Sequence, residues 1–141
     1  MARMYKKSNE LTPGTELSLD VGPITRTDIV RFAGASGDFN PNHHDEIFAI
    51  RSGFEKVFAM GPLSLGYLSR MLIENLGPTS FRRFEIRFVS QAWPGDLLTC
   101  KGRVVKQYEE SGKNIIEIDA EVNNQNGIKL VQGTLTAVPE G

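Results

Sequence analysis

The sequence of 141 residues has one cysteine, two histidines and almost no net charge, since its 16 basic and 17 acidic residues nearly cancel. A single cysteine excludes an intramolecular disulfide and suits a reducing compartment, so we expect a cytoplasmic protein. The balanced charge does not indicate a surface for nucleic acid or for an anionic membrane, and we expect neither as a partner.

Long apolar segments are also missing. The most apolar segment, residues 60–76, is interrupted by serine, arginine, glutamate and asparagine, which argues against a membrane span. The basic residues near the N-terminus are not followed by an apolar stretch, so they do not form a secretory signal. With 40% hydrophobic and 23% charged residues the composition is typical of globular proteins. We expect one domain over residues 1–141, with residues 1–14 as a flexible N-terminal segment.

Helical patterns occupy the first half of the chain. Residues 25–28, T-R-T-D, have the spacing of a capping box and predict a helix that ends near Gly34 and Gly37. Residues 47–51 predict one further helical turn. Gly61-Pro62 begins the longest helix, because proline is favoured in the first helical turn, and Gly77-Pro78 ends it. Apolar residues recur in it at three- and four-residue spacing, which predicts a buried face. The residues of this face are Leu65, Leu68, Met71, Leu72 and Leu76.

Strand patterns dominate the second half. A short strand is predicted over residues 15–19, and apolar and polar residues alternate from Phe81 onward. A turn at 94–96 is followed by a strand through residues 104–105, a hairpin at 110–113, a tight turn at 126–127 and a last strand over 128–138. Such an antiparallel sheet has one apolar face, and the long helix is available to cover it. The sequence therefore predicts an α+β fold in which a curved antiparallel β-sheet wraps around a long central helix.

Both histidines and three carboxylates lie within residues 36–46, S-G-D-F-N-P-N-H-H-D-E. Asp38 and His43 can form a pair that holds one water molecule, removes a proton from it and returns one to a substrate. The same residues also fit a solvated loop that caps its own backbone, and their spacing alone leaves both interpretations open. Proline restricts the backbone, and asparagine and aspartate accept hydrogen bonds from nearby amides. The residues expected to shape the loop in this way are Asn40, Pro41 and Asp45.

Other kinds of site fit this part of the chain poorly. The spacing D-x-N-x-N opens like an EF-hand calcium loop, but that loop needs glycine and glutamate where this chain has His43 and Ala49. His43 and His44 are adjacent and should point apart, and with no third histidine or nearby cysteine we expect no metal site. In G-P-L-S-L-G, residues 61–66, the glycines are one residue too far apart for a nucleophile elbow. Cys100 lies in an alternating strand and is expected to be a packed thiol.

The loop motif resembles that of a known family. Residues 38–45, D-F-N-P-N-H-H-D, match the D-x-N-P-x-H-x-D signature of the MaoC-like hydratase/dehydratase family, which includes the R-specific enoyl-CoA hydratases. The preceding F-A-G-A-S-G and the later Ala59-x-Gly61 fall where that family has them, and the resemblance extends from about residue 15 to the C-terminus. It implies the hot-dog fold and a hydro-lyase activity, the reversible hydration of trans-2-enoyl thioesters to (R)-3-hydroxyacyl thioesters.

The resemblance also implies roles for individual residues. Asp38 and His43 match the catalytic pair, whereas His44 falls at a variable position. The backbone N–H of Gly61 matches the oxyanion donor at the start of the long helix. Ser69, on the same helix, matches a serine that lies near the pair in some members and is expected to contact substrate.

Two residues depart from the family pattern at the start of the long helix. The family usually reads A-H-G-M there, and this chain has Met60 in place of the histidine and Pro62 in place of the methionine. Proline has no N–H, so it removes one donor from the helix terminus. Gly61 must therefore be the leading donor for a bound thioester oxygen.

The expected partner is an acyl thioester, and the resemblance implies no cofactor, since coenzyme A or a pantetheine arm belongs to the substrate. Family domains of this length pair sheet edge to sheet edge, so we expect a homodimer or a heterodimer with another hot-dog subunit. Two other classes stay open: a subunit of a heteromeric dehydratase that contributes pocket rather than chemistry, and a thioesterase-like or acyl-binding hot-dog protein. For three arginines of the strand region, a solvated strand face is a simpler explanation than contact with a carrier phosphate. They are Arg82, Arg83 and Arg87.

Overall fold

The computed structural model describes residues 4–141. In chain order the elements are β1 (Glu16–Val21), α1 (Arg26–Ser36), α2 (Glu46–Arg51), α3 (Gly61–Leu76), β2 (Phe81–Phe88), β3 (Leu98–Glu110), β4 (Lys113–Asn123) and β5 (Lys129–Ala137), with 3-10 turns at Ser8–Glu10 and Pro41–His43. Within the described residues, no helix is both long and apolar enough to cross a membrane.

The five strands form one antiparallel sheet in the order β1-β3-β4-β5-β2. Helix α3 lies across its inner face and contacts β1, β3, β4 and β5. The core is formed where the two meet, and Leu68 and Leu72 of α3 and Ile116 and Ile118 of β4 are all fully buried. The predicted α+β architecture, a curved antiparallel sheet around a long central helix, is confirmed.

The predicted capping box begins α1. The Thr25 hydroxyl oxygen accepts a hydrogen bond from the Asp28 N–H at 3.0 Å, and the Asp28 carboxylate accepts one from the Thr25 N–H at 2.8 Å. These contacts satisfy amides that a helix start leaves without intrahelical partners. Gly37 ends α1 in the left-handed conformation, with φ of 76°, and so turns the chain into the loop that follows.

The buried face of α3 differs from the prediction in the first part of the helix, where Leu63 and Ser64 are buried. Leu68, with Met71, Leu72 and Leu76, is buried as expected, but Leu65 is only half-buried. Ser64 is buried near the start of the helix instead, because it lies about one helical turn before Leu68 and shares its side of the helix.

The strand β3 extends further than its alternation indicated. The sequence pattern ends near residue 105, whereas the strand continues to Glu110. A register shift between Val104 and Lys106 explains the difference, because an extra residue in one strand reverses which side chains face the core. The predicted hairpin follows, and Ser111 and Gly112 adopt φ values of 52° and 75°, as a tight two-residue turn requires.

Residues 4–14 pack against α3 and β3, and the flexibility expected of the N-terminal segment stays a prediction. Leu11 is completely buried, the Lys6 N–H donates to the carbonyl oxygen of Asn75 at 2.9 Å, and the Gln107 side chain donates to the carbonyl oxygen of Ser8 at 2.9 Å. The sequence pattern missed this packing because Leu11 stands among polar residues and shows no periodicity. Residues 1–3 lie outside the described residues.

Candidate active site

The loop between α1 and α2 is shaped by its own side chains. The Asn40 side-chain oxygen accepts from the Asn42 N–H at 3.0 Å, and Pro41 begins the 3-10 turn. Asp45 is the N-cap of α2, because its carboxylate accepts from the Phe48 N–H at 3.1 Å. The structure thus places Asn40, Pro41 and Asp45 where they fix the backbone on both sides of His43.

Asp38 and His43 lie side by side. The imidazole Nε2 of His43 is 3.6 Å from the nearer carboxylate oxygen of Asp38, which is too long for a direct hydrogen bond. A single water molecule can lie about 2.8 Å from both atoms and donate one hydrogen to each. His43 is 7% exposed, while the Asp38 side chain is 41% exposed, so the pair faces solvent through the aspartate.

The tautomer of His43 follows from its second contact. The other ring nitrogen, Nδ1, lies 2.7 Å from the carbonyl oxygen of Phe58. A carbonyl oxygen can only accept, so Nδ1 must be the protonated nitrogen in the neutral ring. The lone pair therefore lies on Nε2, the nitrogen that faces Asp38. In this arrangement Nε2 can accept a proton from a bound water.

Aromatic side chains hold the ring of His43 from one side. The Phe58 ring meets it edge to face, with centroids 5.0 Å apart. Phe58 in turn contacts Phe54 at 4.5 Å and Trp93 at 5.7 Å between ring centroids. Such contacts restrict ring rotation and exclude water from one side of the imidazole.

Residues 57–59 are held by three successive backbone amides. The Val57 N–H donates to the carboxylate of Glu46 at 3.3 Å, the Phe58 N–H to the carbonyl oxygen of Asn42 at 3.3 Å, and the Ala59 N–H to that of Ala92 at 2.8 Å. The same segment contains the carbonyl that fixes His43 and leads directly into the start of α3. The carbonyl that holds the His43 ring is therefore only three residues before Gly61, the first residue of α3.

The start of α3 presents one free N–H. Met60, which replaces the family histidine, is buried in the core and gives the helix no side-chain cap. Pro62 has no N–H, and the Leu63 N–H donates to the carbonyl oxygen of Met60 at 3.0 Å. Among the described residues the Gly61 N–H has no hydrogen-bond partner. Together with the positive end of the helix dipole, it can stabilise a negative oxygen.

Phe88, the last residue of β2, covers Gly61. A Cβ atom built on Gly61 would lie 2.8 to 3.1 Å from three atoms of the Phe88 ring, closer than carbon atoms normally approach. The ring is still 48% exposed, so it forms part of the surface beside the free N–H. Sequence reasoning missed Phe88, because the alternation of β2 indicates only a strand residue and not its contact with a helix terminus.

The remaining candidates are His44 and Ser69. His44 is exposed, and its Nε2 lies 3.3 Å from the carbonyl oxygen of Phe39. Ser69 is half-buried on α3, eight residues after Gly61, which at 1.5 Å per residue is roughly 12 Å along the helix axis. Ser69 therefore cannot bind the same oxygen as the Gly61 N–H, and a contact with a more distant part of the substrate stays a prediction.

The described residues contain no group of three metal-ligating side chains. Cys100 is completely buried, and burial raises the pKa of its thiol to about 12, which fits the predicted packed thiol.

A groove of about 1020 Å³ lies on the outer face of the sheet and does not include Asp38, His43 or Gly61. Its walls have charges of both signs, as a solvated sheet face does. The Asp38 carboxylate and the Phe88 ring beside Gly61 are both open to solvent in the single chain.

Comparisons with known proteins agree with the geometry. The solved R-hydratase PhaJ1 from Pseudomonas aeruginosa superposes with a TM-score of 0.84 at 29% identity, covering 95% of this chain and 86% of that one. The (R)-hydratase from A. caviae gives a TM-score of 0.82 at 27% identity, covering 92% and 97%. Both neighbours have the hot-dog fold, so the fold expected from the loop motif is confirmed.

A curated relative is similar in sequence as well. The peroxisomal hydratase-dehydrogenase-epimerase of Saccharomyces cerevisiae is 32% identical over 123 residues, which are 84% of this chain but only 13% of that protein. The chain thus spans a small part of this much longer relative. The family described as MaoC like domain matches residues 8–127. The chain therefore belongs to the MaoC-like domain family.

Proposed function

We propose that the chain is a hydro-lyase that reversibly adds water to trans-2-enoyl thioesters and forms (R)-3-hydroxyacyl thioesters. The observation that supports this most directly is the His43 ring, whose Nδ1 is held by a carbonyl and whose Nε2 faces the Asp38 carboxylate. The hydratases named among the relatives and solved neighbours support the same reaction class.

In the proposed reaction, Nε2 of His43 and the Asp38 carboxylate hold the attacking water through its two hydrogens. This leaves the lone pairs of the water oxygen directed at the β-carbon of the substrate. As the carbon–oxygen bond forms, His43 takes the proton. That proton then passes to the α-carbon, directly or by way of Asp38, and the pair returns to its starting state. In the reverse direction the same groups remove the α-proton and protonate the leaving hydroxyl.

Attack at the β-carbon places negative charge on the thioester oxygen until the α-carbon is protonated. The Gly61 N–H and the N-terminus of α3 are the proposed donors for this oxygen. Donors fixed in advance stabilise such charge without reorganisation during the reaction, and removing one typically costs about 10²–10³-fold in kcat.

The substrate carrier, coenzyme A or an acyl carrier protein, is part of the proposal and supplies the pantetheine arm, with no separate cofactor. A cytoplasmic location also stays a prediction. We further propose that β2, an edge strand of the sheet, pairs with a second hot-dog chain, of the same or of another kind. Phe88 lies at the end of this edge strand, so such pairing would add walls next to the open site.

The proposed function is tested by incubating the purified chain with short and long trans-2-enoyl thioesters of both carriers and following loss of the enoyl double bond. Hydration to the (R)-hydroxy product supports the proposal. Release of free thiol would instead indicate a thioesterase. Binding without turnover would indicate an acyl-binding protein, or a subunit that needs a catalytic partner.

A further inference from the structure

Glu46, at the first position of α2, connects three parts of the chain that are distant in sequence. One carboxylate oxygen accepts from the Val57 N–H at 3.3 Å. The other accepts from the guanidinium of Arg26, in the first turn of α1, at 2.6 Å. Arg26 therefore holds the Glu46 carboxylate in place, and the carboxylate in turn holds the backbone at Val57.

The position of Val57 matters because its neighbour, Phe58, provides the carbonyl that fixes the tautomer of His43. The connection from Glu46 to the imidazole is therefore short. The Glu46 carboxylate binds the Val57 N–H, and the carbonyl of the next residue, Phe58, binds Nδ1 of His43. His43 and Glu46 are also only three residues apart in sequence, on the two sides of Asp45. A shift of the Phe58 carbonyl would loosen the Nδ1 hydrogen bond and allow the other tautomer, in which Nε2 is protonated and cannot accept.

Stability alone is a weak explanation for this arrangement. The Arg26 and Glu46 side chains are 55% and 40% exposed, and exposed ion pairs contribute little to stability. A carboxylate in the first turn of a helix also interacts favourably with the helix dipole, but that effect needs only the charge. The bond to Val57, in contrast, needs the full length of the side chain.

We propose that Glu46 is a positioning residue: it fixes residues 57–58 and thereby keeps His43 in the tautomer that accepts a proton at Nε2. This inference rests on the proposed hydration reaction, in which that nitrogen is the proton acceptor. It assigns a role in the reaction to a side chain that touches neither the substrate nor the reacting water.

Two substitutions separate length from charge. Glu46→Gln keeps the length and an acceptor oxygen for Val57 but removes the charge and the oxygen that accepts from Arg26, and should retain kcat within about twofold. Glu46→Asp keeps the charge but is one methylene shorter, and should lower kcat about tenfold with KM nearly unchanged, since small displacements of catalytic groups are costly. Glu55→Ala is the matched control, because it removes an exposed carboxylate from the same segment, and should leave kcat unchanged.

The tautomer itself is measured by nitrogen-15 NMR of labelled histidine in a His44→Gln background, which leaves His43 as the only histidine. We expect Nδ1–H with an unprotonated Nε2 in the parent and in Glu46→Gln, and a mixture of tautomers in Glu46→Asp. Reversed behaviour of the two variants, or an unchanged tautomer with only a lower Tm, would overturn the proposal. If the parent is inactive on every thioester while the tautomer still responds to Glu46, the proposed reaction fails and the positioning role stands.

Discussion

Replacing Gly61 with alanine tests whether the start of α3 is as closely fitted as the structure indicates. Gly61 does not have a positive φ, so the backbone permits alanine. The added Cβ, however, would lie 2.8 Å from the nearest Phe88 ring carbon, about 0.7 Å closer than a normal contact. Because Phe88 is half-exposed, its ring can move partly out of the way. We therefore expect a loss of about 1 kcal/mol of stability, the lower end of the range for overpacking.

The larger effect of Gly61→Ala should be on catalysis. A shift of several tenths of an ångström in the helix start moves the Gly61 N–H away from the thioester oxygen, and about tenfold in kcat is the expected loss. The assay is enoyl-thioester hydration at saturating substrate, with thermal melts to confirm folding. In a Phe88→Ala background the atoms that clash are gone, so Gly61→Ala should then cost less than about twofold. An equal loss of kcat in both backgrounds would show that contact with Phe88 is not the cause of the loss. An unchanged kcat in Gly61→Ala would show that the start of α3 tolerates the added Cβ.

Three further predictions concern the fold. Leu68→Ala removes a fully buried side chain between α3 and the sheet and should lower the free energy of unfolding by about 2–5 kcal/mol in urea titrations. A loss below about 0.5 kcal/mol would show that α3 is not part of the core. Thr25→Ala removes the N-cap of α1 and should cost about 1 kcal/mol near pH 7. The Thr25 N–H and hydroxyl both donate to the Asp28 carboxylate and lower its pKa, and Thr25→Ala removes only the hydroxyl bond. The stability from that bond is lost as the pH falls through the titration of Asp28, so part of the cost should disappear below about pH 4. Since the pKa of Cys100 is raised to about 12, the native protein should not react with a thiol reagent at pH 8 until it is unfolded by denaturant, and rapid native-state labelling would contradict its burial.

Local features of the chain could be predicted from the sequence because nearby residues determine them. The capping box at Thr25 and Asp28 involves residues three positions apart, and Gly61-Pro62 and Gly77-Pro78 define α3 through backbone chemistry alone. The pair of Asp38 and His43 belongs to the same class, because both residues lie in one short loop. The catalytic role of that pair stays a prediction until activity is measured.

The parts that sequence reasoning missed depend on contacts between distant segments. The acceptor for His43 is the backbone carbonyl of Phe58, fifteen residues away. Every residue has a backbone carbonyl, so the residue type at this position does not indicate the contact. Phe88 covers Gly61 from a strand that begins after α3 has ended. Leu11 is buried although nothing in its polar surroundings indicates a core position.

The most direct test of the proposed reaction is the hydration rate of Asp38→Asn, His43→Gln and the double variant at saturating enoyl thioester. Each change keeps size and polarity but removes a proton-transfer group, and such groups typically contribute about 10²–10⁴-fold, so each single variant should lose well over tenfold in kcat. Because the two residues would hold one water, the double variant should be little worse than the poorer single variant. His44→Gln, at the exposed neighbour, should retain most of the activity. Near-wild-type hydration by folded Asp38→Asn or His43→Gln would contradict the account, and the stretch from Ser36 to Glu46 would then be only a solvated, self-capping loop.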